Sequence, residues 1–211
     1  MKRLIVYCEG LTEQSFVKTV LAPYFLTMDI SVVPKGAGGV SKYSKIKKEL
    51  IRICKGDRMA LITTMIDYYG LPRDTPGYTT ASGTIYEKAQ HIEKTVEKDL
   101  GLNNLLFNLS VHEYEGLLFS SISTFEGIAD DKQIDALKTI IQKFETPEHI
   151  NNSYDTAPSK RIEKIIPSYS KITDGTKIAL KIGIDGISLK CKHFEQWISK
   201  LTAWAKDCTY E

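Results

Sequence analysis

The 211-residue sequence is poor in the features that announce the commonest site chemistries. Its four cysteines, Cys8, Cys54, Cys191 and Cys208, are scattered, with no Cys-x-x-Cys pair. That excludes a zinc knuckle and a disulfide framework. No Gly-x-Gly-x-x-Gly follows the first apolar run, and no glycine-rich loop ends in Gly-Lys-Ser/Thr, so dinucleotide and P-loop nucleotide sites are not expected. No apolar stretch approaches about 18 residues, which argues against a transmembrane helix. The Met-Lys-Arg start leads into a short run broken at Cys8-Glu9, too short for a signal peptide. The expectation is a soluble, reduced, cytoplasmic protein. Excess charge is also lacking: 28 basic and 26 acidic residues leave a net +2, which selects no partner. Repeats and low-complexity segments are absent.

What is present is an ordinary globular composition, 42% hydrophobic and 26% charged. It suits one folded unit with a sizeable appendage. Leu4–Cys8 is a continuous apolar run of strand length, as in a parallel sheet buried on both faces. Thr12 is placed to cap a helix carrying Phe16, Val17, Val20 and Leu21, which Pro23 should kink or end. Ile30–Val33 reads as a second strand emptying into the loop Gly36-Ala37-Gly38-Gly39. Ser41 or Ser44 caps a second helix with Ile46, Leu50, Ile51 and Cys54 on one face. Met59–Ile66 is a third strand. A loop of about a dozen residues follows, then a helix over Thr84–Leu100 and a fourth strand over Leu105–Val111. The alternation predicts an α/β fold with a mostly parallel four-stranded, Rossmann-like sheet flanked by helices. From Gly116 the pattern turns helical, with helices over Leu117–Ser121, Asp131–Phe144, Ser159–Ile166, Thr176–Ile182 and Lys192–Trp204. Ile178–Ile184 could instead be a short strand, and Asn151–Pro158 reads as an exposed loop. The division expected is an α/β domain at 1–121 and a helical C-terminal extension at 122–211, packed as one unit.

Three of these strands end in carboxylates: Glu9, Asp67, and the pair Glu113 and Glu115. Ligands of open α/β sheets bind at the carboxyl ends of strands. An all-oxygen cluster suits Mg²⁺ or Mn²⁺ rather than zinc. One strand-end acid alone is as readily a helix cap; three at equivalent ends point to a metal. His112 beside them could be a ligand, a general acid/base or a histidine bonded to backbone. Tyr68, Tyr69 and Tyr78 could stack on bases or pack their loop on the sheet. From Lys42 to Arg58 there are seven basic residues against Glu49 and Asp57, a local surface for phosphates or a solvated helix face. Lys35, Lys42 and Lys45 are the candidates for nucleic-acid contact. Phe194, Trp197, Ile198 and Leu201, at helical spacing, read as core.

Cys8-Glu9-Gly10-Leu11-Thr12-Glu13 resembles the opening motif of TOPRIM-like domains. Thr64–Pro72, His112–Phe119 and Cys191–Trp197 resemble a bacterial and archaeal family, number 4276 among domains of unknown function, over nearly the whole chain. The resemblance implies a TOPRIM-like fold and phosphodiester chemistry with Mg²⁺ or Mn²⁺, as in topoisomerases, primases and overcoming-lysogenization-defect nucleases. It also implies a neighbouring AAA or ABC-type ATPase, as in two-gene phage-defence systems. By position, Glu9 is the first-strand acid, Asp67 the first Asp of Asp-x-Asp, and Glu13 the second Glu of the opening motif. Tyr69 stands where that pattern has its second Asp, and a neutral phenol is a poor Mg²⁺ ligand; Glu113 or Glu115 could replace the charge. Two readings follow. One is a metal-dependent nuclease with Glu9, Asp67 and Glu113 catalytic and Glu115, Glu13, His112 and Tyr69 around them. The other is a non-catalytic module binding an ATPase or nucleic acid. A phosphatase or nucleotidyl transferase on the same site is a third. A homo-oligomer is compatible with each, and no membrane partner is expected.

Overall fold

The computed structural model describes residues 1–39, 41–150 and 154–207. Cys208 and the first three residues of the expected Asn151–Pro158 loop lie outside them. Residues 4–8 alternate between two apolar layers, because successive side chains of a strand point to opposite faces. Leu4, Val6 and Cys8 enter one core cluster and Ile5 and Tyr7 the other. That double burial is why the strand reads as an unbroken apolar run. β1 (Lys2–Cys8) pairs in parallel with β2 (Ile30–Gly36) on one side and β3 (Leu61–Asp67) on the other. β3 then pairs, again in parallel, with β4 (Leu105–Leu106) and β5 (Leu109–Ser110). The order β2-β1-β3-β4 leaves β1 and β3 adjacent at the centre. The chain leaves β1 toward one edge and β3 toward the other, so the gap between them is the switch point of the sheet.

The parallel α/β sheet is as expected, but its fourth strand is broken. Thr64 Oγ1 donates to the Asn108 carbonyl (2.6 Å) and accepts from the Asn108 amide (2.8 Å), so a side chain interrupts the ladder between β4 and β5. Two amides of this edge segment are held by α4 (Ile85–Leu100): Phe107 N–H donates to Glu97 and Leu109 N–H to Glu93, both at 2.9 Å.

Several local expectations are corrected. Pro23 does not end the first helix. α1 (Leu11–Phe16) passes through a π-helical turn, Val17–Leu21, into α2 (Ala22–Leu26), with Pro23 in the first turn of α2. There the missing proline amide is tolerated. The cap of α1 is Gly10 rather than Thr12, closed by the Glu13 carboxylate on the Gly10 amide. Neither Ser41 nor Ser44 caps α3 (Tyr43–Gly56); its N-cap is Lys42, and the Tyr43 amide donates to Asp74 from a distant loop. Tyr114–Ser120 is a 3-10 helix, and α5 ends at Ile141 (Asp131–Ile141). Pro158 opens α6 (Pro158–Ile165). The stretch at 178–184 is helical: α7 runs Thr173–Lys190 and is broken only at Gly183, whose φ of 72° glycine alone adopts freely.

Helices cover both faces. α3 and α4 pack on the layer holding Ile62, Ile66 and Leu109. The α1/α2 segment, α7 and α8 (Lys192–Lys206) form the other layer, where Phe194, Trp197, Ile198 and Leu201 are buried as expected. Trp197 Nε1 donates to Thr63 on β3 at 2.9 Å. Among the described residues no helix is long and apolar enough to cross a membrane, and Cys8, Cys54 and Cys191 are free and buried.

Candidate functional site

The carboxyl ends of β1 and β3 hold Glu9 and Asp67 on either side of the switch point. Glu9 N–H donates to the Met65 carbonyl (3.0 Å), which fixes the first turn beyond β1 against β3. The Glu9 carboxylate returns the contact: its Oε2 accepts the Asp67 amide at 3.1 Å. The two acids are therefore joined through one hydrogen bond. Gly70 closes a turn on Asp67, its amide donating to the Asp67 carbonyl at 3.2 Å. A Cβ at Gly70 would lie 2.9 Å from Glu9 Oε1, so any side chain there would have to push that carboxylate aside. Nothing in the sequence pattern singled out Gly70.

Glu13 reaches the same place from the first turn of α1, one oxygen bound to the Gly10 amide at 2.8 Å. Glu113 and Glu115 come from the segment after β5. Glu113 Oε2 accepts the Ser159 amide at 3.2 Å. Glu115 is only 4% exposed. Its sole ion-pair partner among the described residues is Lys171, with Nζ 3.7 Å from Oε1. Lys171, which also lies 3.8 Å from Glu163, was not found from sequence, being 56 residues from Glu115 with no motif linking them.

The charges of the other four acids all act on Asp67. Burial pushes the Asp67 carboxyl well above its usual range, and the charges of Glu13, Glu9, Glu115 and Glu113 push it further. Glu9 is raised by burial against the stabilising Asp67 amide, with Glu13 and Glu113 adding repulsion. Glu13 is raised by burial and opposed by its backbone bonds and by Lys171. Glu115 is pushed up to about 7 by burial, with Lys171 pulling the other way and Glu113 and Glu13 adding to the rise. Asp67 Oδ1 is buried with no hydrogen-bond partner. An unpartnered buried carboxylate oxygen amid four other acids is costly unless a proton or cation meets it.

The donor chemistry fits a hard divalent cation. Among the described residues no group of three or more acids, histidines or cysteines is arranged to hold a metal ion as it stands.

The remaining candidates fall into two groups. His112 adjoins the site with φ of 66°, and its carbonyl accepts the Tyr69 amide at 3.4 Å. Burial lowers its imidazole to about 4, so it is neutral at pH 7. Tyr69 is 45% exposed, while Tyr68 and Tyr78 stack on each other with centroids 6.2 Å apart. The glycine loop abuts the site, with the Ala37 amide donating to the Cys8 carbonyl at 2.8 Å. Lys35, Lys42 and Lys45 are exposed around it. Lys45 Nζ donates to the carbonyls of Gly38 and Gly39 (3.2 and 3.1 Å), so the loop turns acceptors rather than a phosphate-cradling nest toward it.

A second buried polar group escaped the sequence reading. His193 Nε2 lies 2.8 Å from Glu93 Oε1, and Glu148 accepts the amides of His193 (3.0 Å) and Phe194 (2.9 Å). These contacts span 100, 45 and 46 positions in the chain, beyond any local pattern.

Among solved structures, the chain is similar to the C-terminal region of the Burkholderia pseudomallei OLD protein. They share 14% identity and a TM-score of 0.48, over 96% of this chain and 98% of that one. It is also similar to the C-terminal region of the Xanthomonas campestris pv. campestris OLD protein, at 14% identity and a TM-score of 0.33, over 92% and 97%. No curated protein matches. The sequence signature of a domain of unknown function, DUF4276, matches residues 8–202, from the last residue of β1 into α8, and the chain belongs to that family.

Proposed function

We propose that the chain is a divalent-metal-dependent nuclease that hydrolyses phosphodiesters at the switch point of its sheet. One observation carries the reading: where β1 and β3 end, Asp67 Oδ1 is buried without a partner, beside Glu9 bonded to the Asp67 amide and under the charges of Glu13, Glu113 and Glu115. Glu9, Asp67 and Glu113 would hold Mg²⁺ or Mn²⁺, with Glu115 or Glu13 completing the set. The metal, when bound, supplies charge stabilisation at the phosphate and an activated water. The chain's own residues do the rest. The bond from the Asp67 amide fixes Glu9, and Gly70 leaves it room. Where Glu13 completes the metal set, Glu115, its carboxyl raised by burial, is the acid left to carry a proton for the departing oxygen. Lys171 offers a cation at the same edge. Exposed Lys35 and Lys42 suit backbone phosphates, and Lys45 could join them by releasing its glycine carbonyls.

The resemblance drawn in the sequence extends this to an effector partnered by an AAA or ABC-type ATPase in phage defence. The test is cleavage of DNA and RNA panels with Mg²⁺ or Mn²⁺, with and without such an ATPase. Glu9→Gln and Asp67→Asn are each expected to abolish cleavage and to keep the circular-dichroism spectrum of the wild type. Cleavage retained by either variant would sink the assignment.

The non-catalytic reading draws on Tyr69, which stands where the TOPRIM pattern has its second Asp. Under it, partner binding survives EDTA and Glu9→Gln keeps biological activity.

A further inference from the structure

The three tyrosines that follow or face Asp67 do different jobs. Tyr68 and Tyr78 are stacked, with planes 19° apart, and pack against the α3/α4 core layer. They hold the loop down. Tyr69 does not. Its side chain makes no hydrogen bond or ring contact with the described residues, and it is one of the few large side chains left open to solvent. Its backbone, by contrast, is pinned. The Tyr69 amide donates to the His112 carbonyl, the Tyr68 amide donates to Ser110 at 2.9 Å, and the Gly70 amide closes on Asp67. Leu71, two residues on, is buried. Tyr69 is therefore an exposed aromatic on a fixed turn, two residues from Asp67 and beside the glycine that abuts Glu9 Oε1.

With its backbone already fixed, Tyr69 has only side-chain rotation left to lose on binding. The π-faced group that accompanies a phosphodiester is a nucleobase, and bases stack on such faces once they are unpaired. We propose that Tyr69 is the substrate-positioning aromatic of this site, stacking on an unpaired nucleobase of the strand whose phosphate lies over Glu9 and Asp67. The proposal rests on the nuclease reading and deepens it: the substrate is single-stranded, or unpaired where it is cut. It also gives Tyr69 a role that an aspartate at this position could not fill.

The test measures binding of the full-length chain to a short fluorescent single strand, as DNA and as RNA, and to the matching DNA duplex, with Ca²⁺ present. Tyr69→Ala is expected to weaken single-strand binding by on the order of tenfold, within the range for loss of one stacked base. Tyr69→Phe should bind like the wild type, because the ring face and not the hydroxyl is used. Duplex binding, and binding to a strand of abasic sites, should be the same for Tyr69→Ala and the wild type. Equal single-strand binding by wild type and Tyr69→Ala would overturn the proposal. So would a Phe variant as weak as Ala, or a wild type that binds neither strand. Cleavage is read separately with Mn²⁺. If the single strand binds through Tyr69 and no metal supports cleavage, the nuclease reading falls and the stacking role stands. If cleavage proceeds and Tyr69→Ala leaves KM unchanged, the stacking role falls and the nuclease reading stands.

Discussion

At the residue scale, Gly70 is the most exacting position in the site. A methyl group there would meet Glu9 Oε1 at 2.9 Å, and the atom in its way is the end of a flexible side chain. Gly70→Ala should therefore fold normally, within about 0.5 kcal/mol of wild type as for most surface changes, but swing the Glu9 carboxylate off its bond to the Asp67 amide. Calorimetric titration with Mn²⁺ should show the loss as weaker binding at unchanged thermal stability. His112 is the converse case, a side chain in the left-handed region. His112→Gly should relieve backbone strain of about 1 kcal/mol, visible as a higher midpoint in urea. Glu9 and Asp67 were legible in the sequence because each closes an apolar run and so falls at the end of a parallel strand, whereas Glu13 stood out only through the motif resemblance. Lys171 and Gly70 were not, because one depends on a contact across the fold and the other on the path of a side chain.

At the scale of elements, α8 shows how a distant residue completes a helix. Its first-turn amides at His193 and Phe194 are buried, and Glu148 takes both. Glu148→Ala would strand two buried donors and should cost about 2–6 kcal/mol, since each unsatisfied group costs roughly 1–3 kcal/mol. Chemical denaturation would measure it. The apolar stripe of α8 was readable from its spacing, whereas its cap was not, lying 45 residues upstream. The same limit explains the failed serine caps of α3, whose Tyr43 amide is satisfied by Asp74. The break between β4 and β5 was hidden for a related reason: Leu105–Val111 is apolar enough for a strand, and the interruption comes from Thr64 on its neighbour.

At the scale of the whole molecule, one core layer draws on β1, α1 and α2 as well as on α7 and α8. Truncation before Lys190 would remove Phe194, Trp197, Ile198 and Leu201 from that layer and should give insoluble protein; a soluble, cooperatively melting truncation would contradict this. The acid cluster makes stability depend on pH in a definite direction. Glu115 rises on folding from an ordinary 4.5 to about 7, so its stabilising contribution is present at low pH and lost as pH climbs through that interval. His112 falls from 6.5 to about 4, so its contribution is lost as pH drops through that interval. Glu115→Gln should therefore flatten the loss of melting temperature between about pH 5 and pH 8. Mn²⁺ should raise the melting temperature of the wild type more at the alkaline end, where the carboxylates are free of protons. Equal metal effects at both ends would place the cation elsewhere.

The glutamates on the rim of the sheet carry a consequence for association. A sheet grows sideways when an unpaired strand lends its amides to an arriving one. On the β4/β5 rim the amides of Phe107 and Leu109 are already taken by Glu97 and Glu93, and on the opposite rim β2 carries Pro34, which has no amide to lend. Both rims are thereby blunted against strand recruitment. A partner protein would grip this molecule by its helices and side chains, and crowded or concentrated protein would be directed away from fibrous polymerisation.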